Sequence, residues 1–403
     1  MRTAPPPSGT ELSETAAATR DVAPRASLAH TLIRTLGVGI IALGCGVFPP
    51  VEVHPDDRPP EAIQTTWRAV LNEQGILAYR PKEFATPAYA HGGKLVMAGS
   101  ERGTLVAAGA RDGRVAWRYQ TGGKLRGRLA VSGDSVFFGA TDGRLYRVET
   151  ESGNLAWERP YETRGAITAA PTVGGGRVFF RNNENRLYAI DAAKGTYLWD
   201  QGRGRSEDLN ITGEGSPTIA GDVVLSGFDD GSLSAMRVND GASVWSVNIG
   251  GRETRFTDVD TTPVVIGDQV YAASFATGLY AVGLKHGGIT WFYDRRGIQS
   301  PVADARFLYV STVDGDLSAL DPVQGVAAWT LELPWASLSA PVVAGDRVFV
   351  ATGQGFVMAD AATGRVLSRF SIDDGIMAPI AANAGQVHFV TNGGSLIGAR
   401  ILH

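Results

Sequence analysis

Cysteine is almost missing from this chain: Cys45 is the single one among 403 residues. No intrachain disulfide can form, and neither a dithiol redox centre nor a zinc site of several thiolates is possible. Histidine is nearly as scarce. The six copies, at 30, 54, 91, 286, 388 and 403, never fall in the HxH or HExxH spacing of a metal site. Runs of lysine and arginine are missing too, and the net charge is −4. That excludes the concentrated basic surface a nucleic-acid partner requires. There is no Gly-x-Ser-x-Gly elbow and no Gly-Lys-Ser/Thr phosphate loop. These absences point away from an enzyme, and no resident metal or cofactor is expected.

Nor is there an apolar run long enough to span a bilayer as a helix, which takes ~20 residues. The longest candidate, Leu36 to Gly44, follows Arg34 and ends at Cys45. A positive residue, a short apolar stretch and small residues at its end are the parts of a signal peptide. Ala42-Leu43-Gly44-Cys45 resembles a bacterial lipobox with its first two residues exchanged, which makes Cys45 the expected lipidation site. Gly46 behind it is compatible with sorting to the outer membrane, lipid-anchored on the periplasmic face. Residues 1–45 thus read as a disordered extension followed by a signal peptide, and 46–60, with Pro49, Pro50, Pro55, Pro59 and Pro60, as a stiff tether.

Two residue types are plentiful. Glycine appears 51 times and tryptophan 8 times, and both are spaced regularly. Leu187-Tyr188-Ala189-Ile190-Asp191 is followed by Gly195 and Trp199; Leu317-Ser318-Ala319-Leu320-Asp321 is followed by Gly325 and Trp329. Further copies begin at Leu105, Leu145, Leu233 and Leu279. The tryptophans at 117, 157, 199, 245, 291 and 329 stand 40, 42, 46, 46 and 38 residues apart. That is the period of one four-stranded propeller blade.

Each unit opens on a proline, tolerated at a strand's first residue because its missing N–H breaks no ladder bond. Asp-Gly pairs such as Asp142-Gly143 and Asp230-Gly231 supply the positive φ that tight hairpins demand. Openings near Pro87, Arg128, Pro171, Pro217, Pro263, Pro301, Pro341 and Pro379 give eight units. The seventh carries Leu367 in place of tryptophan, and the eighth has only three strands before the chain stops. Residues 64–70, with Trp67, read as the missing outer strand. The expected fold is therefore all-β: an eight-bladed propeller over 61–403, closed by an N-terminal strand so that no sheet edge is left open. The tryptophans are expected to pack between blades, and the aspartate of Leu-x-Ala-x-Asp to make a turn.

The repeat resembles that of quinoprotein-type propellers. Ile211–Pro217 (Ile-Thr-Gly-Glu-Gly-Ser-Pro) and Arg255–Val265 (Arg-Phe-Thr-Asp-Val-Asp-Thr-Thr-Pro-Val-Val) resemble, more specifically, the BamB family of propeller lipoproteins of the outer-membrane β-barrel assembly machine. The likeness covers residues 60 to 402. It implies a scaffold that docks a periplasmic POTRA domain of the barrel-forming subunit BamA and guides nascent outer-membrane proteins. By position, Leu209, Ile211, Thr212, Asp258 and Asp260 would make the contact; Thr212 stands where the family has arginine. The segments holding these residues, 201–216 and 250–262, are the long inter-blade connections, and long loops on a rigid scaffold are where binding resides. Two other readings compete. A quinoprotein dehydrogenase would require adjacent cysteines and converging acidic ligands, whereas Asp229-Asp230 and Asp314-Gly315-Asp316 read as hairpin turns. A sensory or adaptor propeller with another envelope partner is distinguished only by that partner.

Overall fold

The computed structural model describes residues 61–71, 83–203, 215–251, 258–333, 336, 339–383 and 385–402. The segments read as signal peptide and tether, and Cys45 with them, lie outside these residues. Thirty-two strands form eight antiparallel sheets of four. Seven blades run in sequence order: 88–120, 130–162, 172–202, 218–248, 264–293, 302–332 and 342–371. The eighth pairs Ala62–Val70 with Ser395–Leu402, Gln386–Thr391 and Ala381–Asn383. Both the eight-bladed count and the closing strand follow the sequence expectation.

Middle strands are buried on both faces. Ser135–Gly139, Val223–Gly227 and Gly355–Asp360 are buried at every residue, whereas the outer strand Val115–Gln120 alternates between exposed and half-buried. Continuous apolar runs therefore mark strands sandwiched between two blades, and alternation marks the rim. The apolar core follows the same geometry. It is divided among eight clusters, one at each seam between neighbouring blades.

Tryptophan staples seven of these seams. Trp67, Trp117, Trp157, Trp199, Trp245, Trp291 and Trp329 each donate the indole N–H to a backbone carbonyl in the next blade's last turn, at 2.7–3.2 Å. Each ring also lies on the glycine of that turn. A Cβ at Gly113, Gly153, Gly195, Gly241, Gly287, Gly325 or Gly364 would sit 2.5–2.8 Å from indole atoms. Their φ values of 68–75° disfavour any other residue as well. The aspartates of the repeat shape the same turns: Asp191 and Asp321 each accept two backbone N–H groups through Oδ1. In six blades an extra outer-strand residue bulges out immediately before the tryptophan register. The closing strand repeats that bulge at Thr66.

The eighth seam corrects one sequence assignment. Leu367 is not in the tryptophan register; Ser368 is, paired with Met358, and Leu367 is the bulged residue. It is nevertheless buried, packed in the cluster that holds Ile401 and Ile63. The reason is the chain break. In the eighth blade no turn joins the third strand, ending at Leu402, to the outer strand, starting at Ala62. An indole would find no turn glycine to cover.

The closing strand is held from both sides. Glu61 forms a two-pronged ion pair with Arg347 of blade seven at 2.7 and 2.8 Å. On the other side, the Arg118 guanidinium of blade one donates to the carbonyls of Val70 and Leu71. Beside them, His388 is fully buried. Its Nε2 faces the Ala110 carbonyl at 2.8 Å and must carry the hydrogen, so Nδ1 accepts from the Tyr89 hydroxyl at 2.7 Å. Burial holds its pKa below the ordinary imidazole range.

The staple gives a first expected outcome. Trp199→Ala should cost about 3–5 kcal/mol, and Gly241→Ala about 1–3 kcal/mol, by chemical denaturation. Because Trp199 and Gly241 touch, the double variant should cost clearly less than the sum. A strictly additive result would break the staple account. His388 gives a second. A histidine with a lowered folded pKa contributes stability that is present above the unfolded pKa and lost as pH falls below it. Wild type should therefore lose stability relative to His388→Gln between about pH 7 and pH 5. Parallel stability curves would contradict it.

Candidate functional site

The connections that carry the chain from one blade's outer strand to the next blade's inner strand share a face with the hairpins between second and third strands. The Val259 N–H donates to Phe228 of the neighbouring hairpin, and Leu125 to Ser100 likewise. These connections surround a cavity of ≈ 270 Å³ that receives residues from the approaches to seven of the eight blades, from Phe84 at the first to Pro379 at the eighth. Only the centre of the ring can be reached from so many blades, so this is the mouth of the central channel.

The segment Asp258-Val259-Asp260-Thr261-Thr262-Pro263 builds much of its wall, and most of its residues are structural. Val259 is fully buried against Gly227, where a Cβ would collide with it. Thr261 Oγ1 accepts the Ala273 N–H at 2.8 Å and donates to the Ala273 carbonyl at 2.9 Å. Thr262 links three blades: its Oγ1 accepts from the Ser216 N–H, and its own N–H donates to Ser300 Oγ, both at 3.0 Å. The Pro263 carbonyl accepts from the Thr218 hydroxyl at 2.6 Å. Gly215 packs directly on the Asp260 backbone, its missing Cβ 2.6 Å from that carbonyl. The described ends of the two long connections thus meet at the channel mouth.

The two aspartates of the segment both line the cavity but differ in exposure. Asp258 is 2% exposed. Asp260 keeps some solvent contact, yet burial pushes its carboxyl up to about 7. Arg181 opposes that rise, and Asp258 and Asp229 add to it. Arg181 is itself buried, paired with Asp229 across the seam between blades three and four at 2.9 Å and lying over the Phe228 ring. Asp260 makes no side-chain hydrogen bond among the described residues. Leu209, Ile211 and Thr212 lie outside the described residues. The sequence expectation set Asp258 and Asp260 on connections that project on one rim of the ring; within that face both line the channel mouth, where the buried Val259 and Thr261 anchor the segment.

Sequence reasoning missed two members of this cluster. Asp230 makes the expected hairpin turn, accepting the Ser232 N–H, but Asp229 turns away to pair with Arg181. The signal was present: an arginine at the end of Arg177-Val-Phe-Phe-Arg181, in a strand otherwise read as buried, demands an anionic partner. Glu83, fully buried beside Phe84, was missed as well. One of its oxygens accepts the Glu101 N–H at 2.7 Å and burial pushes its carboxyl up to about 7. The described residues hold no cluster of three or more Asp, Glu, His or Cys suited to a metal ion. Nor is any described helix long and apolar enough to cross a membrane.

Residues 64–164, 102–331 and 313–401 match the profile of the outer membrane protein assembly factor BamB. Together these matches span the whole ring. The chain belongs to the BamB family. Among solved structures it is similar to BamB from Moraxella catarrhalis, with a TM-score of 0.72 and 19% identity over 84% of this chain and all of that one. It is similar in fold also to a quinohemoprotein alcohol dehydrogenase from Pseudomonas putida HK5, at TM-score 0.65 and 15% identity over 84% of this chain and 76% of that one. The corresponding enzyme of Comamonas testosteroni gives 0.63 and 15% over the same shares. No curated protein sequence matches the chain. At these identities the structural likenesses establish the propeller and nothing finer.

The channel-mouth carboxyl predicts a pH effect with a definite sign. A carboxyl whose folded pKa is raised keeps its proton while the unfolded chain gives it up. Folding therefore loses stability as pH climbs from the ordinary carboxylate range, near 4, toward about 7. Asp260→Asn removes that loss. The variant should gain stability over wild type progressively between those limits, and the two should differ least below pH 4. A gap that shrinks as pH rises would refute the assignment. Among the described residues, burial chiefly sets the titration of Asp260, with Arg181 lowering it and Asp258 and Asp229 raising it; Arg128 lines the same cavity.

Proposed function

We propose that the protein is a non-catalytic scaffold of the outer-membrane β-barrel assembly machinery, anchored to the periplasmic face of the outer membrane through a lipidated Cys45. It docks a POTRA domain of a BamA-type subunit through the connections 201–216 and 250–262, with Leu209, Ile211, Thr212, Asp258 and Asp260 as the contact residues. The observation that carries this reading is the BamB-family match over the whole ring, joined to the convergence of those two connections on one face. An apolar centre with charged residues around it is the usual anatomy of an interface. Guidance of nascent barrel strands by strand addition is part of the same reading.

The competing reading, a quinoprotein dehydrogenase, draws on the fold likeness to the two alcohol dehydrogenases. Against it stand the lone cysteine of the chain and the lack, among the described residues, of a converging acidic cation site. Dye-linked alcohol oxidation after incubation with pyrroloquinoline quinone and Ca²⁺ would restore it.

The docking reading is tested by affinity purification from solubilised envelopes. Wild type should bring down the barrel-forming subunit. Leu209→Asp combined with Ile211→Asp should lower recovery at least about tenfold, the equivalent of ~1.4 kcal/mol, with the fold intact by circular dichroism. Equal recovery would move the interface elsewhere; no recovery with wild type would favour an adaptor for a different envelope partner.

A further inference from the structure

We propose that the channel mouth is a binding site for an organic cation, a guanidinium or primary ammonium group on a short aliphatic stem, received by Asp260 and walled by Phe84, Phe275 and Met377. The site shares Asp260 with the proposed docking surface and deepens that reading, but its lining belongs to the ring itself, so binding by the isolated protein can fail while docking stands, and the reverse.

Size comes first. At ≈ 270 Å³ the cavity lies just below the range of ~300–1,000 Å³ typical of small-molecule pockets. It admits a charged head with a few methylenes and not a folded element. Charge comes second. Arg181 is satisfied by Asp229 at 2.9 Å. With Arg128 and Asp258, which line the cavity and have interactions of their own, the described residues of the cluster hold two cations against three carboxylates. Asp260 is the surplus. Its carboxyl, largely enclosed by protein, accepts no side-chain or backbone hydrogen bond among the described residues, whereas buried polar groups are nearly always partnered. A ligand donating to it would complete the set. Third is the lining. Phe275 remains 36% exposed, and it shares the cavity with Phe84, Met377 and Ile298. Aromatic and aliphatic walls around one carboxylate suit an amphipathic cation, whose stem packs while its head pairs. Binding displaces the proton that burial keeps on Asp260, so each cation taken up at neutral pH releases a fraction of a proton.

The test uses the isolated folded protein and agmatine, by calorimetric titration at pH 7 in two buffers of different ionisation enthalpy. The expected result is saturable one-to-one binding whose heat depends on the buffer, and at least about tenfold weaker binding by Asp260→Asn. Two parallel probes identify the source of the cation. Tighter binding of agmatine than of a blocked Gly-Arg-Gly peptide assigns the site to a free amine, and the reverse order assigns it to a side chain of a protein partner; either order supports the proposal. Should Asp260→Asn fail to fold, the carboxyl is followed in wild type by carbon NMR, where agmatine should lower the Asp260 titration midpoint. No saturable binding, equal binding by the variant, an unmoved midpoint, or preferential binding of butyrate would each overturn the proposal, the last by giving the cavity to Arg128 and an anion.

Discussion

Pairing between the first strand and the last decides whether this chain is a ring or an open array. Seven blades are built from consecutive strands, but the eighth borrows its outer strand from residues more than three hundred positions earlier. Until that pairing forms, the third strand of the eighth blade is an exposed edge, and blades seven and one lack their neighbour. Several polar contacts secure that junction. The Glu61–Arg347 pair, the Arg118 clamp on Val70 and Leu71, and the His388–Ala110 contact all lie at the closing strand or beside it. Trp67 adds the same staple found elsewhere, over Gly113 of blade one, and its cross-strand partner Gly398 likewise leaves no room for a Cβ beside the indole.

Around the rest of the ring the chemistry is repetitive because the problem is repetitive. Each blade must bury two faces against neighbours that it meets at a fixed angle. An indole on a turn glycine solves this twice over: the ring supplies area, and the N–H satisfies a carbonyl that a turn leaves free. The aspartate before the glycine fixes the turn into which the indole fits. The glycine and the tryptophan are a single device, and this explains why their spacing survives while other residues vary from blade to blade; the aspartate joins it as Asp191, Asp321 and Asp360.

That device is what made the fold legible. Proline at the inner strand, Asp-Gly at the hairpin, glycine and tryptophan at the outer turn each have one local physical meaning, and eight copies multiply it. Where the meaning was not local, sequence reasoning fell short. Leu367 lies next to the tryptophan register and is apolar, so it passed for the substitute; only strand pairing shows that Ser368 holds the position. Asp229 and Asp230 are adjacent and alike, yet one makes a turn and the other crosses a seam to Arg181. Asp258 and Asp260 belong to a long connection on one rim of the ring, and what sequence reasoning lacked is that Val259 between them and Thr261 behind them are buried anchors that set them at the channel mouth. An alternating Asp-Val-Asp-Thr pattern directs its side chains by the packing of every second residue, which composition does not reveal.

The channel mouth is also where the structure departs from its own economy. Here, as at Glu83, a carboxyl is held in a place that raises its pKa to about 7, at a cost in stability that asparagine would avoid. Local violations of this kind in an otherwise consistent fold mark places retained for something other than stability. Seven blade connections converge on that point, and hydrogen bonds such as those of Thr262 to Ser216 and Ser300 tie them to one another. A scaffold of this form separates two tasks. The seams carry the stability, and the one face where connections and hairpins meet is left free to carry unpaired charge. The position of Asp260 in the fold is therefore a stronger argument for binding than its identity: an unpartnered carboxylate on the rim would be ordinary, but at the hub it is surrounded by the most rigid frame the fold provides.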